Sequence, residues 1–82
     1  MPFDEVESEN LKIRAKLMQA LDGYIKANNL TQANAAELMD VTQPRISDLM
    51  RGKINKFTID MLITMLSKAN INVSVKIEET AA

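Results

Sequence analysis

The sequence predicts an all-α fold: a compact domain of four to five short helices over residues 10–77, closed by one short β-strand. Three observations predict it. Apolar residues recur at helical spacing, beginning with Leu11, Ala15, Met18, Leu21 and Ile25. Thr31, Thr42 and Thr58 each stand where a helix would start, and threonine is a good N-cap. At Ile71 the period changes: Ile71, Val73, Val75 and Ile77 alternate with Asn72, Ser74 and Lys76, as in a strand with one apolar face.

Residues 1–9 carry Asp4, Glu5, Glu7 and Glu9 and little that could pack, so a flexible acidic tail is expected there. The first helix is expected over 10–28, with Leu17 and Tyr24 flanking its stripe. Glu9 and Asn10 suit its start, Asn28 and Asn29 its end, and Gly23 weakens it slightly. Thr31 caps a second helix, 32–39, where Ala33, Ala35 and Ala36 would let another helix come close. Met39, Asp40 and Val41 form a tight link. Thr42 caps a third helix, 43–50; Pro44 falls in its first turn, where a missing N–H is harmless, and Gly52 ends it. After a loop from Lys53 to Phe57, Thr58 caps a fourth helix, 59–69, with Ile59, Leu62, Ile63, Leu66 and Ala69 as its apolar stripe. Asn70 can turn left-handed and stop it. The strand covers 71–77, and 78–82 is a tail. Met18, Met39, Met61 and Met65 read as core filler rather than as a pliable partner groove.

Composition excludes much. A chain of 82 residues makes one domain and buries only roughly 60–65% of its unfolded surface. Such a domain often needs extra support. Without Cys or His there is no disulfide and no metal site of the usual ligands, and no cofactor is expected. A second copy of the chain is the support that remains. Imidazole, thiol and a phosphate-cradling glycine loop are all missing, so an enzyme is not expected. The acidic N-terminus is unlike a signal peptide, and no apolar run reaches the ~20 residues of a membrane span. A cytoplasmic protein without membrane contact is therefore expected.

The net charge is −1, but its distribution is uneven. Residues 1–41 sum to −3 and residues 58–82 to −1. Residues 42–57 hold Arg45, Arg51, Lys53 and Lys56 against Asp48 alone, a net +3. A basic window of this kind fits a polyanionic partner, although four bases also cluster by chance.

Two capped helices of about eight residues joined by a link of about three have the geometry of a helix-turn-helix. Its packing rules are met in turn. Ala36 is small where the second helix crosses. Asp40, four positions on, tolerates positive φ, though glycine is the usual residue there. Ile46, ten positions after the alanine, returns an aliphatic side chain to the first helix, and Leu38 and Leu49 are expected to supply the remaining apolar contacts. Residues 30–52, LTQANAAELMDVTQPRISDLMRG, resemble the XRE (Cro/CI-type) helix-turn-helix family. TQPRISDLMRGK followed by FTIDMLITMLSKANINV is similar to its small single-domain members, which include HigA-type antitoxins. The resemblance covers 10–77. It implies a lambda-repressor-like fold and a sequence-specific transcriptional regulator, a dimeric repressor of its own operon. It also implies a toxin as a partner. The rival is a module of the same shape that binds a partner protein without reading DNA.

The residue types at the tip of the third helix suit the major groove of double-stranded DNA. Gln43 can bond adenine bidentately, and Arg45 can reach guanine or a phosphate. Thr42 can meet a phosphate or a thymine methyl. Ser47 and Asp48 lie further along, within reach of a base. Gln32, at the start of the preceding helix, stands where backbone N–H groups favour a phosphate. The resemblance adds that Gln32 would brace Gln43. Arg51, Lys53 and Lys56 would neutralise phosphates. The strand residues Ile71, Val73, Val75 and Ile77 have no strong partner strand in the chain, and unpaired edges are a liability. Antiparallel pairing with a second copy would give a homodimer on a palindromic operator, its recognition helices about 34 Å apart. Phe3–Val6 of the same chain, or a toxin's sheet, are the alternative partners.

Overall fold

Each helix ends in the same left-handed turn, and these turns determine how the next helix is aimed. The computed structural model describes residues 2–79, with side chains from residue 7 onward. In order, the elements are α1 (Pro2–Ala27), α2 (Gln32–Met39), α3 (Gln43–Met50), a single 3-10 turn (Ile54–Lys56) and α4 (Ile59–Lys68). The residue in the left-handed region is Asn29 (φ 52°), Asp40 (57°), Gly52 (70°) and Asn70 (60°) in turn. Asn, Asp and Gly are the types that adopt it most readily. Each is followed by a residue whose N–H reaches back over the last turn: Leu30 to Ile25 (3.0 Å), Val41 to Ala36 (2.9 Å), Lys53 to Asp48 (3.0 Å) and Ile71 to Leu66 (2.9 Å). These bonds satisfy carbonyls that the helix itself leaves open.

The same linker residues start the next helix. Leu30, Val41 and Phe57 each precede a cap threonine, and Ala35, Ile46 and Leu62 lie four residues into the helices that follow. This is the spacing of a hydrophobic staple. Ala35, Ile46 and Leu62 are completely buried, Phe57 nearly so, and Leu30 and Val41 pack against them in one core. Two apolar linker residues, Leu30 and Val41, thus serve the end of one helix and the start of the next. At the third linker the residue after the left-handed turn is Lys53, which is exposed.

The core is formed by Leu17, Met18, Leu21 and Ile25 of α1, Ala35, Ala36 and Met39 of α2, Ile46 and Leu49 of α3, Phe57, and Leu62, Met65, Leu66 and Ala69 at α4. α1 packs mainly on α4, and α2 lies across α3. Ala36 is buried in this core, where a larger side chain would force its neighbours apart. Among the described residues no polar side chain is fully buried.

Several expectations need correction. Residues 2–9 are helical, not a tail, because α1 begins at Pro2. Proline suits a first helical position, acids favour a helix N-terminus, and no breaker separates this segment from Leu11. Helical backbone at Phe3–Val6 also removes it as a pairing edge. α4 ends at Lys68. No strand is formed at 71–77 in the single chain, because the described residues include no second strand to pair with. Only Ile71 packs on the core; Val75 and Ile77 are 78% and 87% exposed. Of the tail at 78–82, residues 80–82 lie outside the described residues. Leu11, Leu38 and Ile63 are each about two-fifths exposed rather than core. Leu38 lies beside the Ala35, Ala36 and Met39 face, and Ile63 flanks the stripe of Leu62, Met65 and Leu66. Among the described residues, no helix is long and apolar enough to cross a membrane.

Candidate nucleic-acid interface

The buried Ile46 and Leu49 fix the rotation of α3 and leave its N-terminal tip facing solvent. Thr42, Gln43 and Pro44 are exposed there. Thr42 has the extended backbone of an N-cap, and its carbonyl accepts from the N–H of Arg45 (3.1 Å) and of Ile46 (3.3 Å). Its hydroxyl makes no capping bond. The contrast is with Thr31 and Thr58, whose hydroxyls accept from Asn34 N–H (3.0 Å) and Met61 N–H (3.1 Å). The Thr42 hydroxyl and the Gln43 amide are therefore uncommitted polar groups at one helix end. Gln32, first residue of α2, is half-buried, and no hydrogen bond joins it to Gln43 among the described residues.

Arg45 is differently placed. It is half-buried, its Nη1 donates to the carbonyl of Lys56 (2.8 Å), and its guanidinium lies over the Phe57 ring, 5.5 Å from the centroid. That is cation–π distance. The side chain is thus tied to the 3-10 turn, with its other N–H groups left to donate elsewhere. Asp48 is half-buried and 3.9 Å from Lys53 Nζ. Ser47 is half-buried beside it in sequence. Arg51, Lys53 and Lys56 are exposed on the segment that leaves α3. The structure so brings Arg45 and Lys56 together at one place and Asp48 and Lys53 at another, with Thr42 and Gln43 standing alone at the tip.

Two residues that hold this arrangement were not anticipated. Phe57 falls in the loop that the sequence predicts from Lys53 to Phe57, yet it is buried beneath Arg45. Its position before a cap threonine and five residues before Leu62 is the available signal, a hydrophobic staple. Arg14 of α1 donates through Nη1 to the carbonyls of Ile54 (3.0 Å) and Phe57 (3.4 Å), and through Nε to Asn10 Oδ1 (2.6 Å). Its signal was a charge within the apolar stripe, between Leu11 and Met18, where a charged group needs a partner. Among the described residues no cluster of carboxylates is placed to hold a metal ion.

Over residues 3–78 the sequence matches the family model described as a helix-turn-helix domain. That range includes nearly all of α1. The fold is similar to a solved structure of a protein whose name places it among XRE-family transcriptional regulators. The two share 28% identity with a TM-score of 0.82, and the match covers 90% of this chain and 83% of that one. No curated protein matches the chain.

Proposed function

The chain belongs to the helix-turn-helix domain family and is of XRE type, and from that premise we propose that it is a DNA-binding transcriptional regulator that reads a specific site with the tip of α3. One observation carries the reading of the site: the Thr42 hydroxyl and Gln43 amide stand uncommitted on a helix end whose rotation is fixed by Ile46 and Leu49. A rigid helix with free planar donors and acceptors at its N-terminus suits the major groove. In this reading Gln43 reads an adenine, and Thr42 meets a phosphate or a thymine methyl. Arg45, held at Lys56, turns its remaining N–H groups to a phosphate or to a guanine at the edge of the site. Ser47 makes a minor base contact. Asp48 meets a base only by leaving Lys53. Gln32, Arg51, Lys53 and Lys56 take the flanking phosphates.

The regulator acts as a homodimer, occupying a palindromic promoter site and so repressing its own operon. Residues 71–77 form the pairing strand, for which the exposed Val75 and Ile77 are the support. A toxin partner is carried over from the resemblance to HigA-type antitoxins and would meet a surface other than α3.

The test uses the DNA site that the wild-type chain selects from a random-sequence pool. Gln43→Ala should lower affinity for that site by roughly tenfold or more, the value of a bidentate base contact, and leave binding to unrelated duplex nearly unchanged. Lys56→Ala should weaken both and reduce the log–log salt slope by about one. Unchanged specificity in Gln43→Ala would remove Gln43 from the reading surface, and a wild-type chain that enriches no site from the pool would favour the rival reading, a module that binds protein alone.

A further inference from the structure

We infer that Arg14 is a positioning residue for DNA reading, although it lies on α1 and outside the helix-turn-helix. The inference rests on the function proposed above. Residues Ile54–Lys56 form a single 3-10 turn with Phe57 as its extended C-cap, a structure with poor hydrogen-bond geometry that is used only in short pieces. Its closing bonds are Lys56 N–H to Lys53 (3.0 Å) and Phe57 N–H to Ile54 (3.2 Å). Two of its carbonyls and that of Phe57 also face guanidinium groups, the Ile54 carbonyl accepting from both Phe57 N–H and Arg14. Arg14 takes those of Ile54 and Phe57 from the α1 side, and Arg45 takes that of Lys56 from the α3 side. Phe57 adds its ring beneath Arg45.

The turn is therefore held between two arginines. Phe57 and Ile54 seat the side chains of this segment in the core, and Arg45 ties the Lys56 carbonyl to α3. Arg14 fixes the segment to α1, and Asn10 fixes Arg14 in turn. α1 is packed into the core through Leu17, Met18, Leu21 and Ile25, so the anchor is rigid. Through this bracket the placement of Lys56, Lys53 and the Arg45 guanidinium relative to the tip of α3 is referred to the body of the domain. Lysine is a poor substitute here: its three donors diverge from one nitrogen on a flexible stem, without the planar fork by which Arg14 reaches Asn10 through Nε and the two carbonyls through Nη1.

The experiment measures affinity for the selected DNA site and its salt dependence, in wild type, Arg14→Lys, Asn10→Ala, Lys56→Ala, Arg45→Ala and the doubles of Arg14→Lys with the last two. Asn10 is exposed, so Asn10→Ala keeps the test available should Arg14→Lys fold poorly. Arg14→Lys should weaken binding by roughly tenfold, Asn10→Ala by less, and the effect of Arg14→Lys should be clearly smaller when Lys56 or Arg45 is already replaced, because coupled residues are not additive. Amide exchange in the free protein should quicken at Lys56 and Phe57 in Arg14→Lys and in Asn10→Ala. A direct phosphate contact by Arg14 predicts otherwise: Arg14→Lys would keep affinity and salt slope. That result, or equal losses in every background, would overturn the inference. Wild type without sequence preference would instead sink the proposed function itself, and the inference with it. Specific binding by wild type with an indifferent Arg14 would sink the inference alone.

Discussion

At Asp40 one torsion angle sets how α3 is aimed after α2. Its φ of 57° lies where an L-residue is strained, and Asp tolerates it better than most. Asp40→Gly should therefore raise stability by about 0.5–1 kcal/mol, and Asp40→Val should lower it by about 2 kcal/mol. Urea midpoints at unchanged slope would show both. A clear loss of stability in Asp40→Gly would mean that the carboxylate itself holds the turn. At Gln43 the reasoning concerns binding rather than stability. The side chain is exposed and has no partner in the protein among the described residues. Gln43→Ala should leave the urea midpoint where it was while specific DNA affinity falls.

The three cap threonines separate structure from function among the elements. Thr31 and Thr58 cap α2 and α4 with their hydroxyls, whereas Thr42 does not cap α3. Thr31→Ala and Thr58→Ala should each cost about 1 kcal/mol, the usual value of a cap. Thr42→Ala should change stability by less than about 0.5 kcal/mol yet weaken DNA binding. Thermal unfolding and DNA titration on the same samples check the dissociation of the two effects. All three positions could be read as caps from sequence, because threonine before an apolar helical run is a local signal. That the hydroxyl of Thr42 stays free could not, since it depends on side-chain rotation. The N-terminus of α1 misled for a related reason: an acidic segment with few apolar residues looks unpacked, but Pro2 and the acids favour a helix that the packed half of α1 nucleates. Residues 71–77 misled because alternation gives a strand's pattern without giving its partner. The tip of α3 was legible because capping and i,i+3 burial are local. The bracket around residues 54–57 was not, since Arg14 lies 40 positions from Ile54 in the chain.

For the whole molecule the question is what covers Val75 and Ile77. Exposed apolar side chains alternating along an extended segment invite pairing. Sedimentation at micromolar concentration should give twice the chain mass of 9.2 kDa, and a chain ending at Asn70 should sediment as a monomer. The shortened chain should also lose roughly a hundredfold or more in affinity for a palindromic site, because two linked helices bind far more tightly than one. The overall charge of −1 would repel DNA, and the +3 over residues 42–57 selects which face approaches.

The most direct measurement is an NMR titration of the isotope-labelled chain with its selected duplex, followed at backbone amides and the side-chain amides of glutamine. The largest shifts should fall at Thr42, Gln43 and Arg45, with smaller ones at Gln32, Arg51, Lys53 and Lys56. Shifts confined to α4 or to the 71–79 segment, with the Gln43 amide unmoved at saturation, would contradict the assignment of α3 as the reading element.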